Sequence, residues 1–154
     1  MIILALDLGT NCGWAVNSKI MAKSSGTWDL KPTRFESHGM RYMKFKRNVE
    51  LEIVLNNIDF IVYEEVRNHV GVDAAHMYGG WLSALQVVCI ENEIPYKGIP
   101  VGTIKKHATG KGNATKEEMV TAAIQKFKGT DVVDDNHADA LHLLDYAVSQ
   151  NFKL

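Results

Sequence analysis

The chain has 154 residues, 46% of them apolar, only three prolines and a formal net charge of −1. This is enough for one domain spanning residues 1–154, with a sheet and covering helices, and it excludes a disordered chain. Near-neutrality does not exclude nucleic acid, because the charge is unevenly spread. No acid lies between Glu93 and Glu117, a stretch that holds Lys97, Lys105, Lys106, Lys111 and Lys116. Arg41, Lys44, Lys46 and Arg47 form a second basic group, whereas Glu64-Glu65 and Asp131, Asp134, Asp135 and Asp139 gather acid elsewhere. Cys12 and Cys89 form no CxxC pair, so a reducing, cytoplasmic setting is expected. Asp7 interrupts the first apolar run, no basic segment precedes it, and no run is long enough to span a bilayer. Neither a signal peptide nor a membrane partner is therefore expected.

In chain order, residues 2–7 and about 12–17 read as strands joined by a glycine turn at Gly9, and about 21–28 as a third. After Pro32, a long helix is predicted from Arg34 to Asn56, with Met40, Met43, Val49, Ile53 and Val54 on its apolar side. Residues 59–65, DFIVYEE, read as a buried strand ending in carboxylates. A helix from about Ala74 to Asn92 follows, with Met77, Trp81, Leu85 and Val88 on one face. Tyr96 to Ile99 makes a short strand, and Pro100 opens a short helix through His107. Thr115 and Glu118 form a T-x-x-E capping box, which starts a helix at Lys116 with Val120, Ile124 and Phe127 inward. The last helix runs from about Asp135 to Ser149 with Leu141, Leu144 and Val148 inward. Three antiparallel strands followed by β-α-β units predict an α/β protein with a mixed five-stranded sheet and helices on both faces, the order of an RNase H-like fold.

Asp7, Glu64 and Asp139 each end a predicted strand or begin a predicted helix. If the strands 2–7 and 59–64 are parallel neighbours, Asp7 and Glu64 meet at the carboxyl edge of the sheet, where ligands bind in such folds. Bare carboxylates there repel one another, and a divalent cation removes the conflict. Oxygen-only ligands favour Mg²⁺ or Mn²⁺ over zinc. Two such ions suit phosphodiester cleavage. The Asp-x-Gly hairpin alone also fits sugar kinases and actin-like ATPases, although those need a second domain to close over a nucleotide. Asp134 or Asp135 also suits a helix N-cap. His142 reads either as a group behind the metal or as a hydrogen-bonded core histidine. Gly110-Lys111-Gly112 is no Walker A loop, since Lys111 is followed by Gly112.

The stretches LALDLGTNCGWAV, IVYEEV, PVGTIKKHATGKGNATKEEM and DDNHADAL, in this order, resemble the RuvC family of Holliday junction resolvases, and its phage-type members most. The resemblance covers most of the chain except about 18–56. It implies a Mg²⁺-dependent endonuclease, with Mn²⁺ as a substitute and two ions per site, that nicks four-way and other branched DNA symmetrically as a homodimer. In a phage setting, it acts in the host cytoplasm. Position by position, Asp7, Glu64 and Asp139 match the family's acids. Lys105 and Lys116 match its basic, catalytically supportive segment, with Lys106 and Lys111 alongside as DNA contacts. The family's remaining acid or histidine falls at Asn136, so Asp135, one residue earlier, is the expected fourth ligand. The aromatic that bacterial members carry three residues after the second acid is Arg67 here, which suits a phosphate contact and looser junction selectivity.

Overall fold

The computed structural model describes residues 1–18, 24–150 and 152. Its elements are β1 (Ile3–Asp7), β2 (Asn11–Val16), β3 (Ser25–Asp29), α1 (Met40–Asn56), β4 (Phe60–Glu65), α2 (Val72–Glu91), β5 (Tyr96–Pro100), α3 (Val101–Thr109), α4 (Lys116–Lys126) and α5 (Asp135–Ser149). The first part of the predicted third strand, residues 21–23, lies outside the described residues. The sheet order is β3-β2-β1-β4-β5, with β1, β2 and β3 antiparallel to their neighbours and β1, β4 and β5 parallel. This is the mixed five-stranded sheet expected from the sequence, with helices on both faces.

Alternation along the strands sorts side chains to the two faces. Leu4, Leu6, Trp14, Ile61 and Tyr63 pack with Phe45 of α1 and with Trp81, Leu85 and Val88 of α2. On the other face, Ile3, Ala5, Phe60 and Val62 pack with Ile104, Met119, Leu143 and Ala147 of α3, α4 and α5. Ala15 meets Ala140 and Leu141 of α5. Gly13 carries this close approach furthest. A Cβ placed there would lie 1.9 Å from the Asn136 carbonyl oxygen, so α5 can cross β2 only over a glycine.

The long first helix begins at Met40 rather than Arg34. Residues 33–39 instead make turns, with the Glu36 amide donating to the Thr33 carbonyl and the Met40 amide to the Ser37 carbonyl. Ser37-His38-Gly39 supplies poor helix formers at this point. Two apolar faces also differ from the reading of the sequence. Phe45 and Val49 are the buried side of α1, whereas Met43 and Val54 are exposed. Met119 and Ala123 are the buried side of α4, and Ile124 is exposed, as is Val148 at the end of α5. The Thr115–Glu118 capping box forms with both of its hydrogen bonds. Among the described residues, no helix is long and apolar enough to cross a membrane, and Cys12 and Cys89 are buried free thiols.

Candidate active site

The strand alternation that buries Ile3 and Ala5 under α5 turns Asp7 to the same face, and Phe60 and Val62 do the same for Glu64. Leu6 pairs with Tyr63 in the parallel β1–β4 ladder, so the next residues, Asp7 and Glu64, stand side by side where both strands end. Glu65 points to the opposite face and pairs with Arg67 at 3.1 Å. Asp139, in the second turn of α5, completes the group from above. Oxygen atoms of Asp7, Glu64 and Asp139 all lie within 4.8 Å of one another, and each residue is half-buried.

This cluster is electrostatically self-opposed. Burial first, then the Glu64 carboxylate and a hydrogen bond to it, push the Asp7 carboxyl well above the ordinary range, and Asp139 and Asp135 add to the effect. Asp139 is pushed up to about 7 by burial, then by Glu64 and Asp135, against the opposing pull of Lys105 and Lys116. The donor set is oxygen only, compact and short of positive charge, which fits a hard divalent cation such as Mg²⁺ or Mn²⁺.

The other residues singled out in the sequence divide into two groups. Lys105 and Lys116 lie close enough to act on Asp139. Lys116 Nζ is ion-paired with Asp135 at 2.7 Å, which holds the Asp135 carboxyl below the usual range and raises the lysine. Asp135 is therefore beside the three acids but turned to the lysine. The N-cap of α5 is Asp134, whose side chain accepts the His137 amide at 2.7 Å and the Thr27 hydroxyl at 2.7 Å. The remaining DNA-contact candidates have other surroundings. Lys106 lines an open cleft with His107 and Tyr146, Lys111 pairs with Glu118 at 3.0 Å, and Arg67 is held by Glu65. His142 is a core histidine. Its Nε2 donates to the Met119 carbonyl at 3.0 Å, which serves the α4–α5 contact, and burial holds its pKa below the usual value.

One residue that the sequence did not single out acts directly on the site. The Tyr78 hydroxyl of α2 donates to the Glu64 carbonyl at 3.0 Å and accepts from the Val66 amide at 3.2 Å. It thus clamps the end of β4 on both sides of Glu65. The His69 ring packs on Tyr78 with centroids 4.8 Å apart. Tyr78 lies three residues before the buried Trp81, on the same side of α2, but spacing registers only an apolar face, whereas the polar tip of Tyr78 makes the contact.

No protein-family model matches the sequence, and no curated protein matches it. Solved structures do match its fold. Thermus thermophilus RuvC aligns with a TM-score of 0.76 at 20% identity, over 97% of this chain and 97% of that one. The same protein in complex with a Holliday junction substrate aligns with a TM-score of 0.79 at 21% identity, over 97% and 96%. Fowlpox virus resolvase, in complex with substrate Holliday junction DNA, aligns with a TM-score of 0.59 at 16% identity, over 99% and 100%. The chain shares with these resolvases one RNase H-like fold, at identities where the fold alone is held in common.

Proposed function

We propose that this protein is a metal-dependent endonuclease that cuts branched DNA, four-way junctions above all, by paired nicks from a homodimer. The observation that carries this reading is the meeting of Asp7, Glu64 and Asp139 at the carboxyl edge of the sheet, with oxygens within 4.8 Å. Resolvases bound to junction DNA share the fold that places them there.

Asp7, Glu64 and Asp139 would hold the cation, with Asp135 joining them when Lys116 releases it. Mg²⁺ or Mn²⁺, two ions per site, would supply Lewis acidity for hydrolysis of the phosphodiester. The chain supplies the rest. The β1 and β4 ladders fix two carboxylates in register, and α5 fixes the third. Lys116 is the catalytic cation: its side chain is 78% exposed and can leave Asp135 for the scissile phosphate, where it stabilises developing charge. Lys105 holds the same side of the site positive. Lys106, Lys111 and Arg67 are proposed as contacts to more distant phosphates. These are point-charge contacts to the backbone, so binding is steeply salt-dependent and largely independent of sequence.

The test is a cleavage assay on labelled four-way junction, flap, plain duplex and RNA–DNA hybrid, with Mg²⁺ or EDTA. Paired symmetric nicks in the junction are expected, with loss of about 10³-fold or more in Asp7→Asn, since the site then lacks the charge to hold its cation. Normal cutting by Asp7→Asn, or no cutting of any substrate, overturns the reading. Preference for flap or hybrid replaces junctions as the substrate. Full junction resolution by a protein that light scattering shows to be a monomer removes the dimer.

A further inference from the structure

We propose that the connection from β3 into α1 is a second DNA contact, a basic cleft that grips the sugar–phosphate backbone of the strand leaving the acidic cluster across the β1–β2 turn. This inference rests on the nuclease reading above and concerns a segment outside the sequence stretches that resemble the RuvC family.

From Lys31 to Arg47 the chain carries six lysines and arginines and a single acid, Glu36. The internal pairing is uneven. Lys44 neutralises Glu36 at 2.7 Å, and Lys46 bonds Glu91 and Glu50. Among the described residues, Lys31, Arg34, Arg41 and Arg47 have no carboxylate at ion-pair distance. Of these four, Lys31, Arg34 and Arg41 line one cleft of about 310 Å³ together with Thr33, Glu36 and His38. A merely solvated basic face would scatter its charges or pair them, as Lys44 and Lys46 do.

Arg41 is held in place without being neutralised. Its Nε donates to the His38 carbonyl at 3.0 Å, one terminal nitrogen to His38 Nδ1 at 3.1 Å, and the other to Met77 Sδ at 3.5 Å. All three acceptors are uncharged, so the guanidinium is oriented and its charge remains to be met by an anion. Arg34 lies 4.5 Å over the ring of Phe35, which is 83% exposed. This stack presents a guanidinium and an aromatic face together, a surface suited to a nucleic acid strand.

The Arg41–Met77 contact joins this cleft to a second one, at the turn that follows Asp7. Met77, which receives the Arg41 N–H, lines a second cleft of about 250 Å³ with Leu8, Gly9, Thr10, Val66 and Tyr78. Of these, Leu8, Gly9 and Thr10 directly follow Asp7, and Val66 and Tyr78 adjoin the end of β4 beyond Glu64. The Leu30 amide also donates to the Thr10 carbonyl at 2.8 Å, tying the start of the basic segment to the turn beyond Asp7. Lys105 and Lys116 come from α3 and α4, on the other side of the sheet. A strand with its scissile phosphate at the acids is therefore met by positive charge in both directions along its backbone, from Lys105 and Lys116 on one side and from Arg41, Arg34 and Lys31 on the other.

The experiment compares the wild type with the triple variant Lys31→Gln/Arg34→Gln/Arg41→Gln. Junction binding is titrated over about 50 to 250 mM salt with Ca²⁺ in place of Mg²⁺, and the salt slope is read at about 0.9 per phosphate contact. The slope is expected to fall by about 2 to 3 and the affinity by about tenfold or more at the higher salt. In Mg²⁺, KM for junction cutting rises while kcat at saturation stays within about threefold of wild type, since no acid is touched. Arg34→Glu, at an exposed site, repeats the test where folding is not at issue and is expected to weaken binding with an unchanged melting temperature. An unchanged salt slope in both variants overturns the cleft, even if the wild type cuts junctions normally. A wild type that cuts nothing overturns the nuclease reading instead, and the slope, read without cutting, still decides the cleft.

Discussion

The two faces of the sheet are built on opposite principles. Under α1 and α2 the packing is bulky: Trp14, Phe45, Tyr63, Trp81 and Leu85 interlock, and Trp81 meets both Tyr42 and Phe45 edge-on. Under α5 the residues are small: Ala5, Ala15, Ala138, Ala140 and Ala147 are all fully buried, and Gly13 touches the α5 backbone. The bulky face holds the larger buried apolar cluster and therefore contributes much of the stability. The small face gives up area and gains proximity. Helix α5 lies so close to β1 and β2 that Asp139 reaches Asp7 and Glu64, which a layer of leucines would prevent. One face thus holds the fold, and the other holds three mutually repelling carboxylates at a fixed distance.

The largest expected effect comes from breaking that division directly. Gly13→Ala sets a Cβ against the Asn136 carbonyl oxygen and carbon, which are backbone atoms that cannot rotate away. α5 must shift, at about 1–3 kcal/mol of stability, as for other overpacked sites. Because the shift displaces Asp139, cleavage should fall by about 100-fold, the scale of a 1 Å misplacement. Leu85→Ala is the counterpart on the bulky face. It should cost about 2–5 kcal/mol of stability, more than Gly13→Ala, yet leave kcat nearly intact at temperatures where the variant is folded. Thermal melts and single-turnover cleavage on the two variants separate the roles. Equal losses of kcat would mean that the faces are not specialised.

The same contrast explains what was legible in the sequence. The strands ending in Asp7 and Glu64 were readable because an apolar run that stops at an acid marks both a buried strand and its end. Asp139 stood out as an acid within an Ala- and Leu-rich helix. The burial faces of α1 and α4 were less legible. Tyr42-Met43 and Phe45 in α1, and Met119-Val120 and Ile124 in α4, offer adjacent apolar stripes, and only the neighbouring helices choose Phe45 and Met119. Gly13 carried no signal at all, since its partner Asn136 lies more than a hundred residues away. The Lys116–Asp135 pair joins two helices 19 residues apart and leaves no local pattern either, and Tyr78 acts through a hydroxyl that periodicity does not register.

A smaller effect tests whether the bulky face also serves the site through Tyr78. Tyr78→Phe keeps the ring against His69 and removes the hydroxyl that holds the Glu64 carbonyl and the Val66 amide. Stability should fall by about 1 kcal/mol, the net value of such a bond. If the clamp positions Glu64, kcat should fall about tenfold with KM for junction unchanged, and Mn²⁺ binding measured calorimetrically should weaken in parallel. A loss of stability with kcat and Mn²⁺ affinity intact would reduce Tyr78 to a structural tie.

The smallest effect is a matter of pH and needs no substitution. Asp7 and Asp139 have folded-state pKa values raised above the ordinary carboxylate value. A raised carboxyl favours the folded state while protonated, so its contribution is complete below about pH 4 and is lost as pH climbs through the folded value. For Asp139 that loss begins near pH 4 and is nearly complete at the folded value of about 7. Metal-free protein should therefore melt at progressively lower temperature between about pH 5 and pH 8. Asp135 and Asp145 have depressed values, and their stabilising share is lost only as pH falls below the carboxylate range, outside this window. Mg²⁺ or Mn²⁺ stabilises only the deprotonated cluster, so the rise in melting temperature on adding metal should be large at pH 8 and nearly absent at pH 5. Asp139→Asn removes one repelling charge and one ligand together, so its metal-free melting temperature should depend less on pH and respond less to metal. A metal effect equal at both pH values would place the cation away from these acids, and the small face of the sheet would then need another reason for drawing α5 so close.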